Sequence, residues 1–136
     1  MADTLTPEER SRRMARVRSK DTKPEMTVRR LVHSLGYRYR LHDRALPGRP
    51  DLVFKGRRKV IFIHGCFWHR HGQGCALARM PKSRVEFWGE KLARNEERDR
   101  RSLEGLANLG WDYLIVWECQ LKDRDALARR IRDFLG

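Results

Sequence analysis

The chain is poor in cysteine, has no long apolar run and carries a deficit of acidic residues. Only 3 of its 136 residues are cysteine, which excludes a fully paired disulfide framework and leaves core packing, nucleophilic chemistry or metal binding for the thiols. The longest apolar run is Tyr113–Trp117, far short of the roughly 18 residues that a membrane-spanning helix needs. Met1-Ala2-Asp3-Thr4 does not pass from a basic region into an apolar stretch, so no signal peptide is expected and the cytoplasm is the expected compartment. Asp+Glu number 18 against 31 Lys+Arg, giving a formal net charge of +13. That excess points to a polyanionic partner, and to nucleic acid over a membrane surface because no basic amphipathic anchor stands out.

What is present is enough for one folded unit. A hydrophobic content of 40% with 36% charged residues is too apolar for a disordered chain. The length predicts a single domain over 1–136. No internal repeat or low-complexity tract divides it.

Thr6-Pro7-Glu8-Glu9 carries an N-cap, a helix-opening proline and a capping-box glutamate, predicting a short helix to about Arg18. It bears Arg10, Arg12, Arg13, Arg16 and Arg18, and its few large apolar residues, Met14 and Val17, sit at i,i+3. With almost no core stripe, residues 1–20 read as a basic arm ordered by a partner. Thr22-Lys23-Pro24-Glu25 repeats the cap, and Val28, Leu31, Val32 and Leu35 make one helical face that stops at Gly36. Tyr37–Leu41 alternates with period two and predicts a strand with one face buried. Leu46–Pro50 is a turn; Asp51–Phe54 and Lys59–Ile63 around Gly56 predict a hairpin. Residues 64–81 show no period. Ser83-Arg84-Val85-Glu86 opens a helical region to Leu109, with a break expected near Asn95. Tyr113–Trp117 is an apolar strand, and Asp123–Leu135 a closing helix. The simplest packing is an α/β fold, one mixed sheet flanked by helices.

The aperiodic segment concentrates reactive side chains. Cys66, His71 and Cys75 are compactly spaced and Cys119 directly follows the last strand, a Cys3His set suited to structural zinc; His64 and His69 are substitute ligands. The competing reading is three unrelated reduced thiols. Asp51 opens one hairpin strand and His64 ends the next, so the two can converge on a hard divalent cation such as Mg²⁺, although turn carboxylates are common without one. His64, His69 and His71 can be acid–base groups or ligands and loop lining. Phe67 and Trp68 either fill a core or wedge between base steps, with Trp88 and Met14 as further candidates for either role. In Asn95–Arg101, the carboxylates either cover a solvated helix face or include one that orients a histidine.

Leu46-Pro47-Gly48-Arg49-Pro50-Asp51, His64-Gly65-Cys66-Phe67-Trp68-His69, Glu86-Phe87-Trp88, Asn95-x-Glu97-Arg98-Asp99 and Val116-Trp117-Glu118-Cys119 together resemble the very-short-patch repair (Vsr) DNA mismatch endonucleases, from about Met14 to Cys119. The resemblance implies a restriction-endonuclease-like fold and a nick in one strand, 5′ to the T of a T:G mismatch, that begins repair of deaminated 5-methylcytosine. It implies catalytic Mg²⁺ on Asp51 and the backbone carbonyl of Ile63, with His69 as the principal acid–base residue supported by His64, Asp99 and Glu25. It further implies structural Zn²⁺ on Cys66, His71, Cys75 and Cys119, and a DNA-opening wedge of Met14, Val17, Phe67, Trp68 and Trp88. A bacterial-type, nucleoid-associated monomer working beside general mismatch-repair proteins is the expected setting. Position 63 is Ile where the family typically has Thr, and Gly72-Gln73-Gly74 lengthens the His71–Cys75 spacing. Phe62-Ile63-His64 stands where related nucleases end in Glu-x-Lys, so one or two catalytic metal ions are both compatible. Two other readings compete: a restriction-type endonuclease of the same fold, and a non-catalytic, zinc-stabilised DNA-binding module.

Overall fold

The structure, a computed structural model, describes residues 22–66, 69, 75 and 84–136. The basic arm with Met14 and Val17, the aromatic pair Phe67 and Trp68, and His71 lie outside the described residues. Helix α1 spans Lys23–Ser34, β1 Arg40–Leu41, β2 Leu52–Phe54, β3 Lys59–His64, α2 Val85–Asn108, β4 Asp112–Trp117 and α3 Arg124–Leu135. Short 3-10 turns at Lys55–Arg57 and Glu118–Lys122 join β2 to β3 and β4 to α3.

The four strands lie in the order β1-β2-β3-β4. β2 runs antiparallel to both β1 and β3, while β3 and β4 are parallel, which makes the sheet mixed as expected. A parallel pair needs a crossover, and α2 lies in the connection between β3 and β4. Side-chain alternation then sorts the core into two faces. Leu52, Phe54, Ile61 and Val116 pack with Val28 and Val32 of α1 and Leu127, Ile131 and Leu135 of α3. Val53, Val60 and Phe62 face the other way and pack with Leu106 of α2. Helices thus cover both faces of the sheet, each through its own apolar stripe.

The boundaries differ from expectation in places that have physical causes. The Tyr37–Leu41 alternation yields only a two-residue strand, whose residues are exposed. Tyr39 still packs inward, edge-on to Phe54 at 6.3 Å, with its hydroxyl donating to the Arg29 carbonyl at 3.4 Å. The pattern marks one-sided burial of the tyrosines, whereas only Arg40 and Leu41 reach the β2 ladder. Helix α2 has no break at Asn95; it continues for 24 residues. Its N-cap is Arg84, in the left-handed region at φ 55° and without a side-chain cap, while Ser83 of the expected capping box lies outside the described residues. At α1 only half of the expected box forms. The Thr22 hydroxyl accepts from the Glu25 N–H at 3.4 Å, while the Glu25 side chain turns elsewhere.

The turn before β2 is tightly built. Gly48 sits at φ +77°, and a Cβ there would lie 2.7 Å from Ser102 Cβ and 3.1 Å from Phe62 Cε1. Only glycine lets the turn pass this close to α2 and so fixes where Asp51 enters the sheet.

Candidate active site

Asp51 lies just beyond the last β2–β3 pair, Leu52–Ile61. Its Oδ2 accepts from the Ile63 N–H at 2.7 Å, taking the place of a ladder acceptor. The N–H and C=O of a strand residue face the same neighbouring strand, so the Ile63 carbonyl belongs to the same edge as the carboxylate. Strand geometry thus sets which edge the Ile63 carbonyl faces, without regard to the side chain at position 63. Burial pushes the Asp51 carboxyl up to about 6; the Ile63 N–H opposes this, the nearby Glu25 carboxylate adds to it, and His42 and His69 oppose it.

Glu25 is itself buried near the N-terminus of α1, where the helix dipole favours negative charge. Its Oε2 accepts from Arg29 Nη1 at 3.3 Å and meets His42 Nε2 at 3.1 Å. The His42 N–H donates to the Asp51 carbonyl at 3.3 Å. Ligand atoms of Glu25, His42 and Asp51 all lie within 4.8 Å of one another. A carboxylate pair this close, one member held toward its protonated form, is a donor set that a hard divalent cation fits.

On the other side of Asp51 are two histidines. His64 ends β3 and has the strand parity of Phe62, which directs it to the α2 face. His69 stacks on it with centroids 3.8 Å apart and planes at 9°. The His69 backbone N–H donates to the Gly65 carbonyl at 3.1 Å. Asp99, from the middle of α2, meets His69 Nδ1 with Oδ2 at 2.5 Å. An ionised carboxylate can only accept, so Nδ1 carries the proton and Nε2 is left as the basic nitrogen. His64 has a different character. Its value is lowered to about 4, chiefly by burial and also by the adjacent His69, with Asp99 partly opposing both. It is therefore neutral near pH 7, and its Nδ1 is buried without a hydrogen-bond partner among the described residues. With that nitrogen buried, His69 is the better placed of the two for proton transfer.

Asp51, Ile63, His64, His69 and Asp99 line one cavity of about 630 Å³, completed on the α2 side by Arg98, Ser102 and Leu103. The sequence-stretch Asn95–Arg101 thus divides as the two readings allowed. Asp99 reaches the histidine, whereas Glu97 pairs in solvent with Arg100 and Arg101. Trp88 lies apart from this cavity, in the first turns of α2, edge-on to Phe87 at 5.1 Å. Trp88 is half-buried, and Phe87 is the more exposed of the pair at 42%. Sequence reasoning missed His42 and the cavity roles of Arg98 and Ser102. The only local hint at His42 was its place just before a turn; neither periodicity nor motif links it to Glu25.

Behind the histidines, Cys66, Cys75 and Cys119 bring their sulfurs within 4.8 Å of one another. Cys66 is fully buried, accepts from the Cys119 N–H at 3.4 Å, and has its thiol pushed up to about 12, mainly by burial. Three clustered thiols from separate segments are a soft donor set that fits Zn²⁺, which deprotonates the thiols it binds.

A mixed α/β sheet that gathers a buried carboxylate and a carboxylate-oriented histidine in one cavity, in a chain of charge +13, has the groups needed to hydrolyse a phosphodiester in DNA. Residues 2–76 match the family described as "DNA mismatch endonuclease Vsr". The chain is 51% identical over 135 residues to "Type II nicking enzyme V.XorIIP" of Xanthomonas oryzae pv. oryzae, covering 99% of this chain and 98% of that protein. It is 44% identical over 140 residues to "DNA mismatch endonuclease Vsr" of Escherichia coli, covering 99% and 88%. It is 41% identical over 137 residues to "Type II nicking enzyme V.NmeAIP" of Neisseria meningitidis, covering 98% and 96%. The chain belongs to the Vsr family of DNA mismatch endonucleases and is a DNA-cutting enzyme. No helix among the described residues is long and apolar enough to cross a membrane.

Proposed function

We propose that this endonuclease nicks one strand of duplex DNA 5′ to the T of a T:G mismatch, in a reaction that needs Mg²⁺. The observation that carries the reading is the single cavity shared by Asp51, His64, His69 and Asp99. Asp51 and the Ile63 carbonyl would hold Mg²⁺, which when bound supplies Lewis-acid polarisation of a phosphoryl oxygen. His69 Nε2 takes the proton of the attacking water, and Asp99 stabilises the imidazolium that results. His64 stays neutral and supports His69 through the stacking of the two rings. Glu25, braced by Arg29 and His42, keeps a second carboxylate beside Asp51. Cys66, Cys75 and Cys119, with His71 as the remaining ligand, would hold Zn²⁺, which cross-links the loop carrying His69 to the end of β4.

Within the single unit 1–136, the arm 1–20 and the residues Met14, Val17, Phe67, Trp68 and Trp88 are assigned to opening the duplex, and the +13 charge to sequence-blind phosphate affinity. The test is a denaturing gel of strand-labelled T:G and C:G duplexes with identical flanks, incubated with enzyme and Mg²⁺. We expect one product, a nick 5′ to the T, with the C:G duplex cut at least about 10²-fold more slowly. Cleavage of both strands of the matched duplex would favour the restriction-type reading. Tight binding without any cut would favour the non-catalytic one.

A further inference from the structure

Arg49 lines the same cavity as Asp51, His64 and His69, and no role has so far been given to it. Its backbone lies in the left-handed region at φ 49°, a conformation that a residue with a Cβ adopts only under constraint. The constraint is visible on both sides. Gly48 is wedged against Ser102 and Phe62, the Arg49 N–H donates to the Leu46 carbonyl at 3.2 Å, and the next residue is the fully buried Pro50 with its own fixed φ. Glycine would take this conformation freely; the chain places a guanidinium there instead.

The surroundings show what that guanidinium is available for. The cavity's other guanidinium, Arg98, is held by Asn95 Oδ1 at 2.9 Å. Arg49 is exposed, and its side chain has no hydrogen bond or ion pair among the described residues. It stands two residues from Asp51, at the mouth of a cavity whose other charged groups include two carboxylates. Phosphodiester hydrolysis gathers extra negative charge on the nonbridging oxygens in the transition state, and a planar guanidinium with free donors is suited to meet it.

We propose that Arg49 is a catalytic residue of the nicking reaction, its guanidinium hydrogen-bonded to a nonbridging oxygen of the scissile phosphate. The proposal rests on the reading of this cavity as the nicking centre. In the step it serves, the water oxygen bonds to phosphorus and its proton passes to His69 Nε2. The bond from phosphorus to the leaving sugar oxygen breaks, and that oxygen takes a proton from solvent. Arg49 stays protonated and exchanges no atom.

The test compares wild type with Arg49→Ala and Arg49→Gly in three measurements: single-turnover nicking of saturated T:G duplex, duplex affinity by anisotropy without Mg²⁺, and melting temperature. Both variants are expected to nick about 10²-fold more slowly with affinity changed less than about threefold. Arg49→Gly relaxes the backbone, so its melting temperature should equal or exceed that of wild type. Added guanidinium ion should restore a large part of the Arg49→Ala rate and leave wild type unaffected. Wild-type nicking rates in both variants would overturn the proposal while leaving the nicking centre intact. So would weaker affinity with an unchanged saturated rate, which marks a backbone-binding arginine. A rate loss that follows a lower melting temperature in Arg49→Gly and resists guanidinium would make the role structural. Failure of wild type itself to nick T:G duplex would remove the underlying reading, and this proposal with it.

Discussion

Asp51→Asn is expected to stabilise the metal-free protein at neutral pH while lowering nicking by about 10³-fold or more, the several kcal/mol that a cation-holding carboxylate contributes to such a reaction. The stability change follows from where the carboxyl sits. Its ordinary value of 3.8 is raised to about 6 in the fold, chiefly by burial. Between those two pH values the folded protein holds more protons than the unfolded chain. Stability therefore falls as pH rises through this window, and the deficit persists above it. Asparagine keeps an acceptor for the Ile63 N–H and removes the buried charge. A gain on the order of 2 kcal/mol is expected at pH 7.5, a rise of several degrees in melting temperature. The gain should vanish below pH 4.

His64 makes the acid side of this prediction sharper. Its value is lowered from 6.5 to about 4, so its contribution is intact above pH 6.5 and is lost as pH falls toward 4. In wild type the two slopes oppose each other between about pH 4 and pH 6. Asp51→Asn removes one of them and should expose the other as a loss of stability on acidification. Thermal melts in chelator from pH 4 to pH 8 measure both. A variant that melts below wild type at pH 7.5 would contradict the strained-carboxylate account.

Cys66→Ala carries the second large effect. The sulfurs of Cys66, Cys75 and Cys119 come from the segment after β3, the loop beyond it and the turn after β4. A metal bound among them ties His69's loop to the sheet, and ligand binding that exists only in the folded state adds directly to folding stability. Purified wild type should contain about one zinc per chain, and Cys66→Ala essentially none. Losing that cross-link should cost several kcal/mol and lower the melting temperature by on the order of 10 °C. Nicking should fall as well, because His69 loses its support. Metal analysis by mass spectrometry beside a thermal melt gives the answer. Zinc-free wild type whose melting is indifferent to chelator would reduce the cluster to ordinary buried thiols.

The elements legible in the sequence are those whose local signals agree with their packing. In α1, the Thr22 cap and the Val28–Val32 stripe meet at one face of the sheet, and both survive in the structure. β3 was readable because a strand covered on both faces is an apolar run; β4 has the same apolar run, although of its residues only Val116 is buried. The errors share a different origin. Alternating Tyr37 and Tyr39 reported burial, which hydrogen bonding need not follow. The polar stretch at Asn95 suggested a break, yet exposed pairs such as Arg100 with Glu97 and Glu104 let α2 run on.

For the site, the residues in the compact His64–His69 block were visible as chemistry before they were visible as geometry. Asp99 was ambiguous because a carboxylate reaching a histidine and one facing water look alike within a charged run. Glu25 read first as half of a capping box, and only the tertiary contact with His42 shows its other use. Such pairings depend on where α1 crosses the end of β2. No local pattern encodes that placement, and the residues expected to wedge the duplex, on the arm and in the Phe67-Trp68 pair, lie outside the described residues.

The central claim is that the cavity holding Asp51 and the His69–Asp99 pair is where the strand is cut. His69→Ala tests it most directly, in single-turnover nicking of a strand-labelled T:G duplex at saturating enzyme with Mg²⁺, alongside duplex affinity. Loss of a positioned base predicts a rate lower by about 10²–10⁴-fold with affinity near that of wild type. Nicking by His69→Ala at the wild-type rate would place the chemistry outside this cavity and contradict the account.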